Sequence, residues 1–162
     1  MSSAFLIALG SNRRHHLYGR PSQVVRAAME KLAVLGTVTR RSPIVSTLPM
    51  GAAQRRFANA ALLLESEYDP PSLLSALKRM EREFSRRAGQ RWGDRVLDLD
   101  VILWSEGSWV SSDLQVPHPA FRERDFVLGP ACAIAPDWRD PKTALSLSQL
   151  NARLTRPHAL PR

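Results

Sequence analysis

Only one cysteine, Cys132, occurs in the 162 residues, which excludes an internal disulfide and suits a reducing compartment. It lies in the apolar stretch Gly129 to Ala135, where a buried structural thiol is the ordinary reading. Lysine is nearly absent, with three among 23 basic residues. No apolar run approaches the roughly 20 residues that a membrane helix requires. The opening Met1 to Gly10 has no basic leader and only a short apolar run, so it predicts a strand and not a signal peptide. Walker-type glycine loops, Cys/His zinc spacings and a Ser-His-Asp order are all missing. His15, His16 and His158 fit no metal-ligand spacing. The cysteine count and the missing leader predict a cytoplasmic protein, and none of those motifs supplies its chemistry.

What remains is an ordinary globular composition, 44% hydrophobic and 23% charged, in a length that suits one domain over 1–162 with a frayed tail. The net charge of +8 is made of arginine, whose planar fork grips phosphate oxygens in pairs. Such a surface favours a polyanion, either nucleic acid or a polyphosphate ligand.

Residues 4–9 form an apolar strand ended by a turn at Gly10-Ser11-Asn12. Pro21-Ser22 opens a helix with Val25, Ala28, Leu32 and Leu35 at helical spacing, and Gly36 stops it. Residues 37–46 and 57–66 read as strands. Asp69-Pro70-Pro71-Ser72 opens a second helix whose buried stripe is Leu73, Leu77, Met80 and Phe84. Val96 to Trp104 is a fourth strand. The order βαββαβ predicts an α+β, ferredoxin-like sandwich, an antiparallel sheet with both helices on one face. The remainder adds a Glu-Gly turn, a proline-rich loop around His118, and further strands and helices.

The sharpest chemical signal is Leu97-Asp98-Leu99-Asp100-Val101-Ile102-Leu103. Strand alternation sends Leu97, Leu99, Val101 and Leu103 toward the helices and Asp98 and Asp100 together to the other face, with α-carbons roughly 7 Å apart. Paired carboxylates repel and are poor strand formers, so their spacing points to a hard divalent cation, the arrangement of phosphoryl-transfer sites. A solvated face paired with arginines is the competing reading. Just upstream, Arg79, Arg82, Arg86, Arg87, Arg91 and Arg95 crowd 17 residues. Those within the helix decorate a solvated face, whereas the loop from Ser85 to Asp94, with Gly89, Gly93 and Trp92, can clamp a Mg²⁺-triphosphate. Phe57 and Asn59 share a strand face, an aromatic plane beside an amide that can match a heterocycle's edge. Val116-Pro117-His118-Pro119 stiffens a loop around a histidine, with Arg122, Arg124 and Phe126 close behind; a histidine with an arginine suits a polyphosphate, and a histidine that caps a turn is the competing reading.

Taken in order, these segments resemble the 6-hydroxymethyl-7,8-dihydropterin pyrophosphokinases of folate synthesis. The resemblance is carried by Ala8-Leu9-Gly10-Ser11-Asn12, Ser46 to Gly51, Phe57-Ala58-Asn59-Ala60, Glu81, Arg91 to Asp100, Val116-Pro117-His118-Pro119 and Arg124 to Pro130. It implies transfer of pyrophosphate from ATP to the pterin hydroxymethyl group, with release of AMP and two Mg²⁺ ions held by Asp98 and Asp100. Asp100, Arg86 and Arg95 are then the catalytic set. Thr47, Leu48, Met50, Phe57, Asn59 and Phe126 would take the pterin, with Phe57 and Phe126 as the two faces of an aromatic sandwich. Glu81, Arg91, Trp92, Arg95, Ile102, His118 and Arg124 would take the nucleotide. The segment Arg13 to Arg20 departs from the family pattern, and the loops after Gly51 and Glu81 are short. A paralogue acting on a related heterocyclic alcohol is therefore an alternative acceptor assignment. Small-molecule substrates, a monomer, and no nucleic acid or membrane partner are the expectation. A ferredoxin-like RNA-binding module is the alternative from another class, ranked lower because aspartates on the open face repel phosphate.

Overall fold

The computed structural model of the protein describes residues 1–47, 57–87 and 96–157. Its main sheet is antiparallel throughout and runs β2 (Thr37–Arg41), β4 (Phe57–Ser66), β1 (Ser3–Ser11), β5 (Asp98–Trp104), with β3 (Val45–Thr47) also paired to β4. Helices α1 (Pro21–Lys31) and α2 (Pro70–Arg87) complete the βαββαβ frame expected from the sequence. The strand read over 37–46 is two strands. Ser42 still bonds Ala61 through its backbone, but Pro43 has no N–H to donate, so the ladder lapses until Val45.

Local chemistry sets the helix ends. Pro70 occupies the first turn of α2, where a missing N–H costs nothing, and Asp69 Oδ1 accepts the Ser72 N–H at 2.8 Å. On α2, Leu73, Leu77 and Phe84 are buried, as the stripe predicted, and Met80 is half-buried against the same cluster. Each full burial contributes about 1.5–3 kcal/mol. With Val24, Val25, Ala28, Met29 and Leu32 from the α1 side, they cover Phe5, Ile7, Leu9, Leu62, Leu64, Leu99 and Val101 of the sheet. Gly36 passes so close to β4 that an added Cβ would lie 2.1 Å from the Glu65 carbonyl oxygen.

The second face of the sheet is not left open along its length. Beyond β5 come a short hairpin of β6 (Trp109–Val110) and β7 (Gln115–Val116), then α3 (Asp125–Ile134) and α4 (Leu147–Thr155). These two helices bury a separate cluster that includes Leu6, Ala8, Ala61, Ile102, Phe121, Val127, Leu128, Ala131 and Leu147. Leu103 belongs to it, contrary to strict alternation from Leu97. The ladder between β1 and β5 shifts register between Leu6 and Ile7, so one extra residue on β5 reverses the phase after Val101. Cys132 is half-buried beside this cluster, and burial raises its thiol pKa, which fits an unreactive thiol.

Gly36→Ala should destabilise the fold by about 1–3 kcal/mol, because a backbone carbonyl has to retreat. Chemical denaturation would read this as a lower midpoint at an unchanged slope.

Candidate active site

The register of three strands builds the site. Asn59 on β4 pairs with Gly10 on β1, and Gly10 pairs with Asp98 on β5. One step along, Ala61, Ala8 and Asp100 form the next row on the same face. A third row, which includes Leu63 and Leu6, lies under α3 and α4. The face is therefore roofed at one end and open at the other, and the open end carries an amide on one side and two carboxylates on the other. Between them the central strand offers only Gly10 and Ala8. The strand does not turn at Gly10 as the sequence suggested but continues to Ser11, with Ser11 paired to Ala58. A Cβ at Gly10 would meet Asn59 Oδ1 at 3.1 Å, so the glycine makes the space in which the amide lies.

A cavity of about 710 Å³ stands on this floor, within the size range of small-molecule sites. Its walls bring together Phe57, Asn59, Asp98, Asp100, His118, Arg124 and Phe126, all singled out from the sequence, with Asn12 and Asp125 at the margin. Phe57 and Phe126 are 41% and 46% exposed, unusual for large apolar rings, and both border the cavity. The Arg124 guanidinium carbon sits 5.7 Å from the centre of the Phe126 ring. Asp98 is exposed and Asp100 half-buried, so neither carboxylate is sealed beneath packing. Oxygen donors side by side at an accessible cavity fit a hard cation that takes its remaining ligands from phosphate and water.

His118 is held in one orientation. Its N–H donates to the Ile102 carbonyl at 3.0 Å, and its Nδ1 accepts the Ala120 N–H at 3.1 Å, which leaves the proton of the neutral ring on Nε2. Burial lowers its pKa; the Asp100 charge pulls it up, and the Arg124 charge pushes it down further.

Several residues fall elsewhere. Ile102, expected on the nucleotide side, is buried under the roof helices and reaches the site only through its carbonyl on His118. Glu81, also expected there, is 2% exposed and accepts the Leu99 N–H on Oε2 at 3.0 Å, with Lys78 Nζ 3.0 Å from Oε1. Since β5 is the edge strand, this bond occupies the outward amide between the two aspartates. Glu81 holds β5 and does not line the cavity. Arg86 is exposed on the last turn of α2 and is not among the cavity residues. Arg122 turns away to Asp140. Thr47 ends β3 opposite Phe57 through its backbone. Leu48, Met50, Arg91, Trp92 and Arg95 lie outside the described residues. Missed from the sequence were the floor formed by Ala8 and Gly10, and Asp125 in the first turn of α3; only the strand pairing brings the floor into view.

Comparison with known proteins gives the family and the fold. Residues 6–136 match the family model for 7,8-dihydro-6-hydroxymethylpterin-pyrophosphokinase. The chain is 34% identical over 128 residues to the 2-amino-4-hydroxy-6-hydroxymethyldihydropteridine pyrophosphokinase of Synechocystis, covering 78% of this chain and 66% of that protein. It is 37% identical over 138 residues to the Pseudomonas aeruginosa protein of the same name, covering 83% of this chain and 82% of the relative. Its fold matches the crystal structure of Plasmodium falciparum HPPK-DHPS with pteroate, at a TM-score of 0.75 and 11% identity. That match takes in 94% of this chain but only 42% of the longer one.

Because burial depresses the His118 pKa, the unfolded chain binds that proton more readily. The neutral ring therefore contributes stability that is present above the ordinary histidine value of 6.5 and is lost as pH falls through the folded value. A proton-NMR titration of the ligand-free protein should place the His118 midpoint below 6.5, and lower still in Asp100→Asn.

Proposed function

The chain belongs to the 7,8-dihydro-6-hydroxymethylpterin-pyrophosphokinase family, and we propose that its cavity transfers pyrophosphate from ATP to the hydroxymethyl group of the reduced pterin. One observation carries the assignment: two carboxylates, an edge-reading amide and two exposed aromatic rings border a single cavity.

The pterin ring lies between Phe57 and Phe126, and the Asn59 amide, set over Gly10, pairs with its donor–acceptor edge. Asp98 and Asp100 would hold two Mg²⁺ ions. When bound, Mg²⁺ neutralises the polyphosphate and polarises its phosphorus–oxygen bonds. Asp100, the more enclosed carboxylate, accepts the hydroxyl proton as the pterin oxygen attacks the β-phosphorus. The bond from that phosphorus to the α,β-bridging oxygen breaks, and AMP departs with the electron pair. His118 offers its Nε2–H, and Arg124 its fork, to phosphate oxygens as charge shifts onto the leaving group. Glu81 keeps β5 in register, so both carboxylates face the cavity without an induced movement. Arg86, Arg91, Trp92 and Arg95 belong to the nucleotide side in this reading. The arginine forks among them suit contact with phosphate oxygens.

Purified protein with Mg²⁺ should form AMP from ATP only when the hydroxymethylpterin is present. AMP without pterin, or none with it, would refute the assignment. Asp100→Asn should lower kcat by at least about a hundredfold while the thermal melt stays near that of the parent. Gly10→Val should raise the KM for pterin about tenfold, since the new side chain occupies the place of the Asn59 amide, with the KM for ATP little changed.

A further inference from the structure

Arg122 was expected at the polyphosphate, yet it faces the opposite way into a nearly sealed cluster. Its Nε donates to Asp140 Oδ2 at 2.6 Å and its Nη2 to Oδ1 at 2.8 Å, a bidentate fork. Asp140 has no exposed surface. It also accepts the Thr143 hydroxyl at 2.7 Å and the Lys142 N–H at 3.0 Å, so both carboxylate oxygens are satisfied. The guanidinium lies 4.6 Å from the centre of the buried Phe121 ring. Burial alone would raise the Asp140 pKa, but these donors outweigh it and bring the carboxyl down to about 2.

The position of this cluster gives it a consequence. Phe121 to Glu123 form one short 3-10 turn, closed by the Arg124 N–H on the Phe121 carbonyl, and α3 begins at Asp125. His118, three residues before the turn, and Arg124 and Phe126, directly after it, all border the cavity. The turn therefore carries one wall of the site, while Phe57, Asn59, Asp98 and Asp100 stand on the sheet. We propose that the Arg122–Asp140 fork is a positioning device for the pyrophosphokinase reaction, fixing the turn so that Phe126 stacks on the pterin opposite Phe57. Neither residue touches substrate. The inference rests on the functional reading above, because it assigns the wall to pterin binding.

The buried Phe121 anchors the turn on one side, the fork adds a second tether on the other, and the loop that receives the fork is itself well held. Asp140 N–H bonds the Leu145 carbonyl and Leu147 N–H bonds the Trp138 carbonyl, tying that loop to the start of α4. The path is continuous: α4 and its preceding loop hold Asp140, Asp140 holds Arg122, and Arg122 holds the turn that sets Phe126. A ring that is not held in place must be ordered when the pterin binds, so the cost falls on binding.

Arg122→Lys keeps the charge but removes the planar fork, and Asp140→Asn keeps the shape but removes the charge. Each should raise the KM for pterin about tenfold with kcat changed less than about threefold, in protein that still melts cooperatively. The decisive measurement is a double-mutant cycle on the pterin KM. Arg122→Lys should add nothing in a Phe126→Ala background, and should add its full effect in a Phe57→Ala background. Full additivity with Phe126→Ala, or a fall in kcat at constant KM, would overturn the proposal. If Arg122→Lys does not fold, Asp140→Asn is carried through the same cycle. A parent protein without pterin-dependent AMP formation would defeat the functional reading itself, whereas an active parent with additive variants would defeat only the positioning role.

Discussion

Asp98 and Asp100 share one side of an edge strand, and two like charges at that spacing favour neither the strand nor each other. Every other part of the site makes sense as a means of holding them there. On the helix side, Leu99 and Val101 are anchored in the first core, so the carboxylates have one direction left to face. On the outer side, Glu81 bonds the Leu99 amide that an edge strand would leave open. On the inner side, β1 pairs with both positions through Gly10 and Ala8 and brings almost no side chain toward them. The two carboxylates are thus kept together at the cavity, and a pair of oxygen donors so held has the chemistry to take a divalent cation.

The second constraint is the incomplete roof. A ferredoxin-like sheet with helices on one side only would leave the whole opposite face to water. Here α3 and α4 bury the far half against Leu6, Ala61 and Ile102, and the near half becomes a bounded cavity. The same helix that supplies the roof supplies a wall, because α3 starts directly after Arg124 and places Asp125 and Phe126 at the rim. Phe57 and Phe126, both exposed at the cavity, offer it two aromatic faces.

Much of this was legible beforehand, for reasons that can be traced to particular residues. Apolar runs bounded by Gly10, Gly36 and Asp69-Pro70 marked the main elements, because hydrophobic periodicity and breakers act within a few residues of themselves. The Asp98–Asp100 pair stood out because alternation is a local rule. Where reading along the chain failed, the reason was non-local. The β-bulge opposite Leu6/Ile7 moved Leu103 to the other face. Arg122, Arg124 and Phe126 looked equivalent as neighbours, yet only the two after the turn reach the cavity, while a buried aspartate 18 residues later claims the first.

The residue order alone determined which chemistry is available: a carboxylate pair in a strand, an aromatic beside an amide, a histidine set between prolines, and arginine in place of lysine. Those are properties of single segments, and they survive without knowledge of what packs where. Tertiary structure decided which groups work together. The register across β4, β1 and β5 put Asn59, Gly10 and Asp98 in one row, and the packing of α3 and α4 turned half a sheet face into a site. Such choices depend on contacts between residues tens of positions apart, and no local pattern carries that information.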